Sequence, residues 1–153
     1  MKRFFCILLC GILVLSMTAC GKPSEEDIGQ KLYEIDCWLA MDVWENGFRQ
    51  IVLYSAGEKE EEELGDILQG LSDSLEKKEE YEKYIGALED ARYDTLKERW
   101  GYVSGEIDKL HASIQEDPPR CDGSYALDTM MYEYYSNTFW DELSKLGIYQ
   151  YVG

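Results

Sequence analysis

From Ile28 onward the apolar residues of this chain recur every three or four positions, the spacing that lines them along one side of an α-helix. Ile28, Leu32, Ile35, Leu39 and Val43 form one stripe; Cys37, Met41, Trp44, Phe48 and Ile51 form a second on an adjoining face. Two stripes make a wide apolar surface, so the pattern predicts a first helix that touches two neighbours and ends near Tyr54 to Gly57. Ser24, followed by Glu25, Glu26 and Asp27, marks its start: the hydroxyl can take a free N–H, and the acids suit the positive end of the helix dipole.

The next segment opens on Glu58-Lys59 and the run Glu60 to Glu63, which reads as a solvated turn and first helical turn. A calcium loop is excluded there, because no alternation of Asp or Asn with Gly accompanies the acids. Leu64, Ile67, Leu68, Leu71 and Leu75 continue at helical spacing, and Gly65, Gly70 and Ser72-Asp73-Ser74 predict a break within residues 72 to 78. Tyr81, Tyr84, Ile85, Leu88, Leu96, Trp100, Val103, Ile107, Leu110 and Ile114 then predict one long helix over 77–115, roughly 58 Å at the α-helical rise, stopped by Pro118-Pro119. Asp122 or Ser124 can cap a last helix running to about Leu146, with Leu127, Met131, Tyr134, Tyr135, Thr138, Leu143 and Leu146 as its core stripe and Gly147 as its stop. No segment alternates with a period of two, and no fixed-period repeat occurs. The expected fold is therefore all-α, an antiparallel bundle of three or four helices.

The first twenty residues follow a different pattern. Lys2 and Arg3 precede an apolar run from Phe4 to Leu15, too short for a comfortable membrane span, and the run ends in Ser16-Met17-Thr18-Ala19-Cys20 followed by Gly21. This layout resembles the signal peptide and lipobox of a bacterial lipoprotein. The resemblance implies cleavage after Ala19, a lipid on Cys20, and attachment of the chain to the extracytoplasmic face of the cell membrane. It divides the chain into a signal peptide (1–19), a short polar tether (20–26) and a helical domain (27–153). Each buried CH₂ adds about 0.8 kcal/mol, so two or three long acyl chains would anchor the protein without help from the domain.

Removing 19 of 153 residues leaves 134, with all 31 acids but 13 of the 15 bases, a formal charge of −18. Such a body repels nucleic acid and anionic lipid, which excludes nucleic acid as a natural partner and favours a protein or basic peptide. Of five cysteines, Cys6 and Cys10 leave with the signal and Cys20 takes the lipid. Cys37 and Cys121 remain, and two readings stay open. They form a bridge closing an 84-residue loop, worth about 4–5 kcal/mol in the chain-entropy model, or they serve as two small reduced apolar residues. No cysteine pair has metal-ligand spacing, and no metal or cofactor is implied.

Catalytic patterns are sparse. His111, the one histidine, stands on the long helix with no nucleophile or metal partner in sequence. Gly101-Tyr102-Val103-Ser104-Gly105 has the glycines of a nucleophile elbow at the wrong spacing and in a helical context. Zinc-protease, Walker and dinucleotide motifs do not occur, and carboxylates are too numerous for one pair to stand out as an acid/base couple.

Aromatic residues concentrate at Trp38, Trp44 and Phe48, and again at Tyr132, Tyr134, Tyr135, Phe139 and Trp140. With Tyr135 and Phe139 facing inward, Tyr132 and Trp140 fall toward the flank of the last helix. There, with Glu133 and Asp141, they form a candidate contact surface, since exposed Tyr and Trp bring large area at low entropy cost. Val43-Trp44, the long helix, Pro119 and Gly123-Ser124-Tyr125 opening an aromatic last helix together resemble a loose class of small helical exported proteins of Gram-positive bacteria. That resemblance implies no activity. The expected function is a non-enzymatic, lipid-anchored interaction module for a protein or peptide at the cell surface. The alternative is a small-ligand receptor or transport accessory with a pocket inside the bundle near Trp44.

Overall fold

A computed structural model describes residues 23–151, and among them there are helices and turns but no strand. The lipobox and Cys20 lie outside the described residues. The chain begins with α1 (Glu25–Cys37), which passes without interruption into a π-helical segment (Trp38–Phe48) and then α2 (Arg49–Ser55). The expected cap is present as a reciprocal capping box: the Asp27 N–H donates to Ser24 Oγ at 3.1 Å and the Ser24 N–H to Asp27 Oδ2 at 3.0 Å. After Gly57, at a positive φ of 77°, a 3₁₀ turn (Glu61–Glu63) leads into α3 (Leu64–Leu75). The glutamate run is the solvated entry turn its pattern predicts, closed by the Glu60 N–H donating to Glu63 Oε2 at 2.8 Å.

The π segment changes which residues face inward. A π turn takes in more residues than an α turn and closes with i→i+5 bonds, such as the Arg49 N–H to the Trp44 carbonyl. Val43 and Phe48, five apart, are both fully buried. Met41, assigned to an apolar stripe on a uniform α period, is 54% exposed. Gly47 sits where the segment meets α3, and a Cβ there would stand 2.8 Å from Leu71 Cδ1.

The single long helix expected over 77–115 is in fact two. α4 (Lys78–Gly86) ends, Leu88 turns into the core, and a 3₁₀ turn (Ala91–Tyr93) starts α5 (Asp94–Glu116). Asp90 makes the break, its carboxylate accepting the Arg92 N–H at 2.9 Å as a cap. The last helix, α6 (Met130–Lys145), also starts later than expected. Asp122 caps a local turn instead, accepting the Ser124 N–H at 2.9 Å next to Gly123 at φ 75°. Asp128 accepts the Met130 N–H at 3.2 Å. Gly147, at φ 69°, follows the end of α6 as anticipated, and a 3₁₀ turn (Ile148–Tyr151) folds back onto α1.

These helices share one apolar core. α5 packs on α6, α3 on the π segment, and α4 on α5. Trp38 lies near the centre, edge-on to Tyr81 at 5.1 Å and 6.3 Å from Trp100, which in turn meets Phe139 at 5.7 Å. The Trp38 indole N–H donates to the Ser74 carbonyl at 2.8 Å. Among the described residues no helix is long and apolar enough to cross a membrane.

Candidate functional site

The spacing of seven and four from Tyr132 through Phe139 to Leu143 sets the inward face of α6. Tyr132, Phe139 and Leu143 are buried, whereas Met131 and Tyr134, expected in the core, are 40% and 57% exposed. Tyr132 was expected on the helix flank and instead points inward at 2% exposure, which removes it as a freely exposed contact residue. Its hydroxyl donates to the Leu39 carbonyl at 3.1 Å; its ring stacks on Trp44 at 5.8 Å and meets Phe48 edge-on at 5.4 Å. Trp140, two turns along, stays half exposed on the same side of α6 and lies 6.2 Å from the Tyr149 ring.

Between these residues and the first helix runs an open cleft of about 290 Å³. Asp36, Leu39, Ala40 and Trp44 form one wall; Tyr132, Glu133, Ser136, Asn137 and Trp140 form the other. The cleft borders the π segment, and π distortions of helices recur at functional sites. Of the four expected contact residues it brings together Tyr132, Glu133 and Trp140; Asp141 is exposed but does not line it.

Asp36 is the residue that sequence reasoning missed. Its carboxylate is half-buried, and its Oδ2 accepts the Tyr149 hydroxyl at 2.7 Å. Withdrawal from water pushes its pKa above the usual carboxylate value, and the Tyr149 hydrogen bond pulls it partway back. Tyr149 is pushed upward in turn, by burial and by its bond to Asp36. Glu133, on the rim, accepts the Thr129 hydroxyl at 2.8 Å. No lysine or arginine lines the cleft, and among the described residues neither Asp36 nor Glu133 is ion-paired. Carboxylates elsewhere do find cations, as where Lys31 bridges Glu34 and Glu80 at 3.1 and 2.9 Å.

Cys37 and Cys121 are free thiols. Cys37 neighbours Tyr33 and Tyr149, whereas Cys121 neighbours Tyr54. Tyr54 lies 17 residues beyond Cys37 on one uninterrupted helical run, roughly 20–25 Å along its axis, so this arrangement holds the two sulfurs too far apart for a bridge. His111 is partly exposed, with its Nε2 3.4 Å from the Gln115 amide. Among the described residues no group of three or more His, Cys, Asp or Glu side chains is placed to hold a metal ion.

Compared with known protein families, with curated proteins and with solved structures, the chain matches none.

Proposed function

We propose that this protein is a lipid-anchored, extracytoplasmic interaction module, an antiparallel helical bundle that binds a basic protein or peptide segment without catalysing a reaction. The observation that carries this reading is the cleft between the first and last helices, where two carboxylates without cationic partners stand beside the half-exposed Trp140 and the partly exposed Trp44. Taking the Asp36 carboxylate partly out of water without an ion pair is costly in the free protein, and a cationic partner offsets that cost. The excess of 31 acids over 15 bases extends the same preference over the surface and steers a basic segment toward it. A volume near 290 Å³ stands at the small end of ligand pockets, which run from about 300 to 1,000 Å³. That size favours one inserted side chain over a whole small-molecule ligand.

Two experiments test the reading. A lysine-rich peptide and a glutamate-rich peptide of equal length are titrated against the full chain in non-ionic detergent, with calorimetry at two salt concentrations. Salt-sensitive binding of the basic peptide alone is expected; equal binding of both, or of neither, overturns the module. For the anchor, Cys20→Ala should abolish incorporation of labelled fatty acid and release the protein from the membrane fraction, and persistent labelling would refute the lipobox.

A further inference from the structure

Resting on that reading, the cleft admits a more specific assignment: we propose that it is a pocket for a primary ammonium group, the terminus of a lysine side chain presented by a basic polypeptide. Its walls supply what such a group needs. Trp44 and Trp140 line the cleft with aromatic surface suited to a cation and to the methylenes that carry it. Asp36 stands on the wall formed by the first helix and Glu133 on the opposite wall, formed by α6. Each keeps one carboxylate oxygen without a hydrogen bond, because Tyr149 occupies only Oδ2 of Asp36 and Thr129 only Oε1 of Glu133. Ser136 and Asn137 add neutral polar groups to the α6 wall.

The same occupancy discriminates among cations. A guanidinium is held best when both oxygens of a carboxylate receive its planar fork. At Asp36 the Tyr149 hydroxyl, 2.7 Å from Oδ2, already stands where one prong would approach. A lysine ammonium is a point charge with three freely rotating donors and needs only the remaining oxygen. A quaternary ammonium has no N–H to offer Asp36 and would engage the rings alone.

The pocket is fixed from behind. Tyr132, fully buried, stacks on Trp44 and holds the Leu39 carbonyl, and Tyr149 holds Asp36 while supporting Trp140. The two rings and the half-buried carboxylate are thereby set in place before a ligand arrives, which lowers the ordering cost of binding.

The test uses the ¹⁵N-labelled full chain in maltoside micelles and follows the four tryptophan indole N–H signals. The probes are the blocked amino acids Nα-acetyl-lysine methylamide, its uncharged norleucine counterpart and its arginine counterpart, together with tetramethylammonium. The lysine probe should shift the Trp44 and Trp140 signals saturably and leave those of buried Trp38 and Trp100 in place. Norleucine and tetramethylammonium should bind at least about tenfold more weakly, as expected when a charge-assisted hydrogen bond is lost. Asp36→Asn should weaken the lysine probe by a similar factor, and Glu133→Gln, on the exposed rim, by a smaller one. Equal shifts with norleucine or tetramethylammonium, an unmoved Trp44 and Trp140, or unchanged affinity in both variants would overturn the assignment. The two levels separate cleanly. A lysine-rich peptide that binds without moving the Trp44 and Trp140 signals sinks the pocket and keeps the module. A lysine probe that seats in the cleft while no basic peptide binds keeps the pocket and sinks the module.

Discussion

The Tyr132 hydroxyl donates to the Leu39 carbonyl at 3.1 Å, tying the last helix to the π-helical turns of the first across 93 residues of sequence. The bond is buried, and the same ring fills the space between Trp44 and Phe48. Tyr132→Phe keeps the ring and leaves a buried carbonyl without that donor, so it should cost about 1 kcal/mol of stability. Tyr132→Ala also empties the space and should cost about 3–5 kcal/mol. Urea unfolding followed by tryptophan fluorescence distinguishes the two. Equal costs would mean that the hydroxyl, and not the ring, supports the junction.

Asp36 ties stability to pH with a definite sign. Its pKa in the folded protein is raised above 3.8, first by burial, with the Tyr149 bond opposing. The fold therefore prefers the protonated carboxyl. Its contribution to stability is complete below the ordinary aspartate range and is lost as pH rises through the raised value. Asp36→Asn keeps an oxygen for Tyr149 and carries no charge. The variant should be more stable than the parent at neutral pH, with the difference closing as pH falls through the raised value toward 3.8. Urea midpoints measured across that range would show it, and a variant less stable than the parent at pH 7 would contradict the sign.

How far the sequence disclosed this arrangement depends on the element. Apolar spacing of three and four identified the helical class, and Ser24, Pro118-Pro119 and Gly147 marked ends that the structure keeps. The break before α5 also had a signal, since only Ala91 and Tyr93 interrupt the polar stretch between Leu88 and Leu96 and Asp90 stands where a cap belongs. The π turns had none that a uniform 3.6 period could read, and that misplaced Met41. Glu133 and Trp140 were visible as an acid and an aromatic on one side of a helix. Tyr132 was misread although its signal was there, since it stands seven residues before Phe139, a spacing that puts both on one face of α6. Asp36 was one of 31 acids in the sequence, and nothing local separates it from the others. Its partner Tyr149 lies 113 residues away, so only the folded chain sets it apart.

Gly47 offers a test of the contact between the π segment and α3. Alanine is worth up to about 1 kcal/mol more than glycine within a helix, and on propensity alone Gly47→Ala should stabilise. Its Cβ would instead lie 2.8 Å from Leu71 Cδ1 and 3.2 Å from the Asp42 carbonyl. Overpacking of this kind costs about 1–3 kcal/mol, so the substitution should destabilise. In a Leu71→Ala background the Cδ1 is gone and most of that penalty should vanish, although Leu71→Ala alone costs about 2–5 kcal/mol. The coupling from this double-mutant cycle reads the contact directly, and additive effects would mean that the Asp42 carbonyl is the obstacle.

Trp38 and Trp100 differ in one respect that stability can report. Both are buried, and their rings meet at 6.3 Å. The Trp38 indole N–H donates to the Ser74 carbonyl at 2.8 Å, whereas Trp100 Nε1 is buried with no hydrogen-bond partner. Phenylalanine removes similar apolar area at either site, so that loss largely cancels in the comparison. Trp38→Phe also gives up a good hydrogen bond, and Trp100→Phe relieves an unsatisfied donor whose burial costs about 1–3 kcal/mol. Trp38→Phe should therefore be the more destabilising by about 1–3 kcal/mol, measured as the difference in unfolding free energy between the two variants. The reverse order would show that the Trp100 indole finds an acceptor in solution.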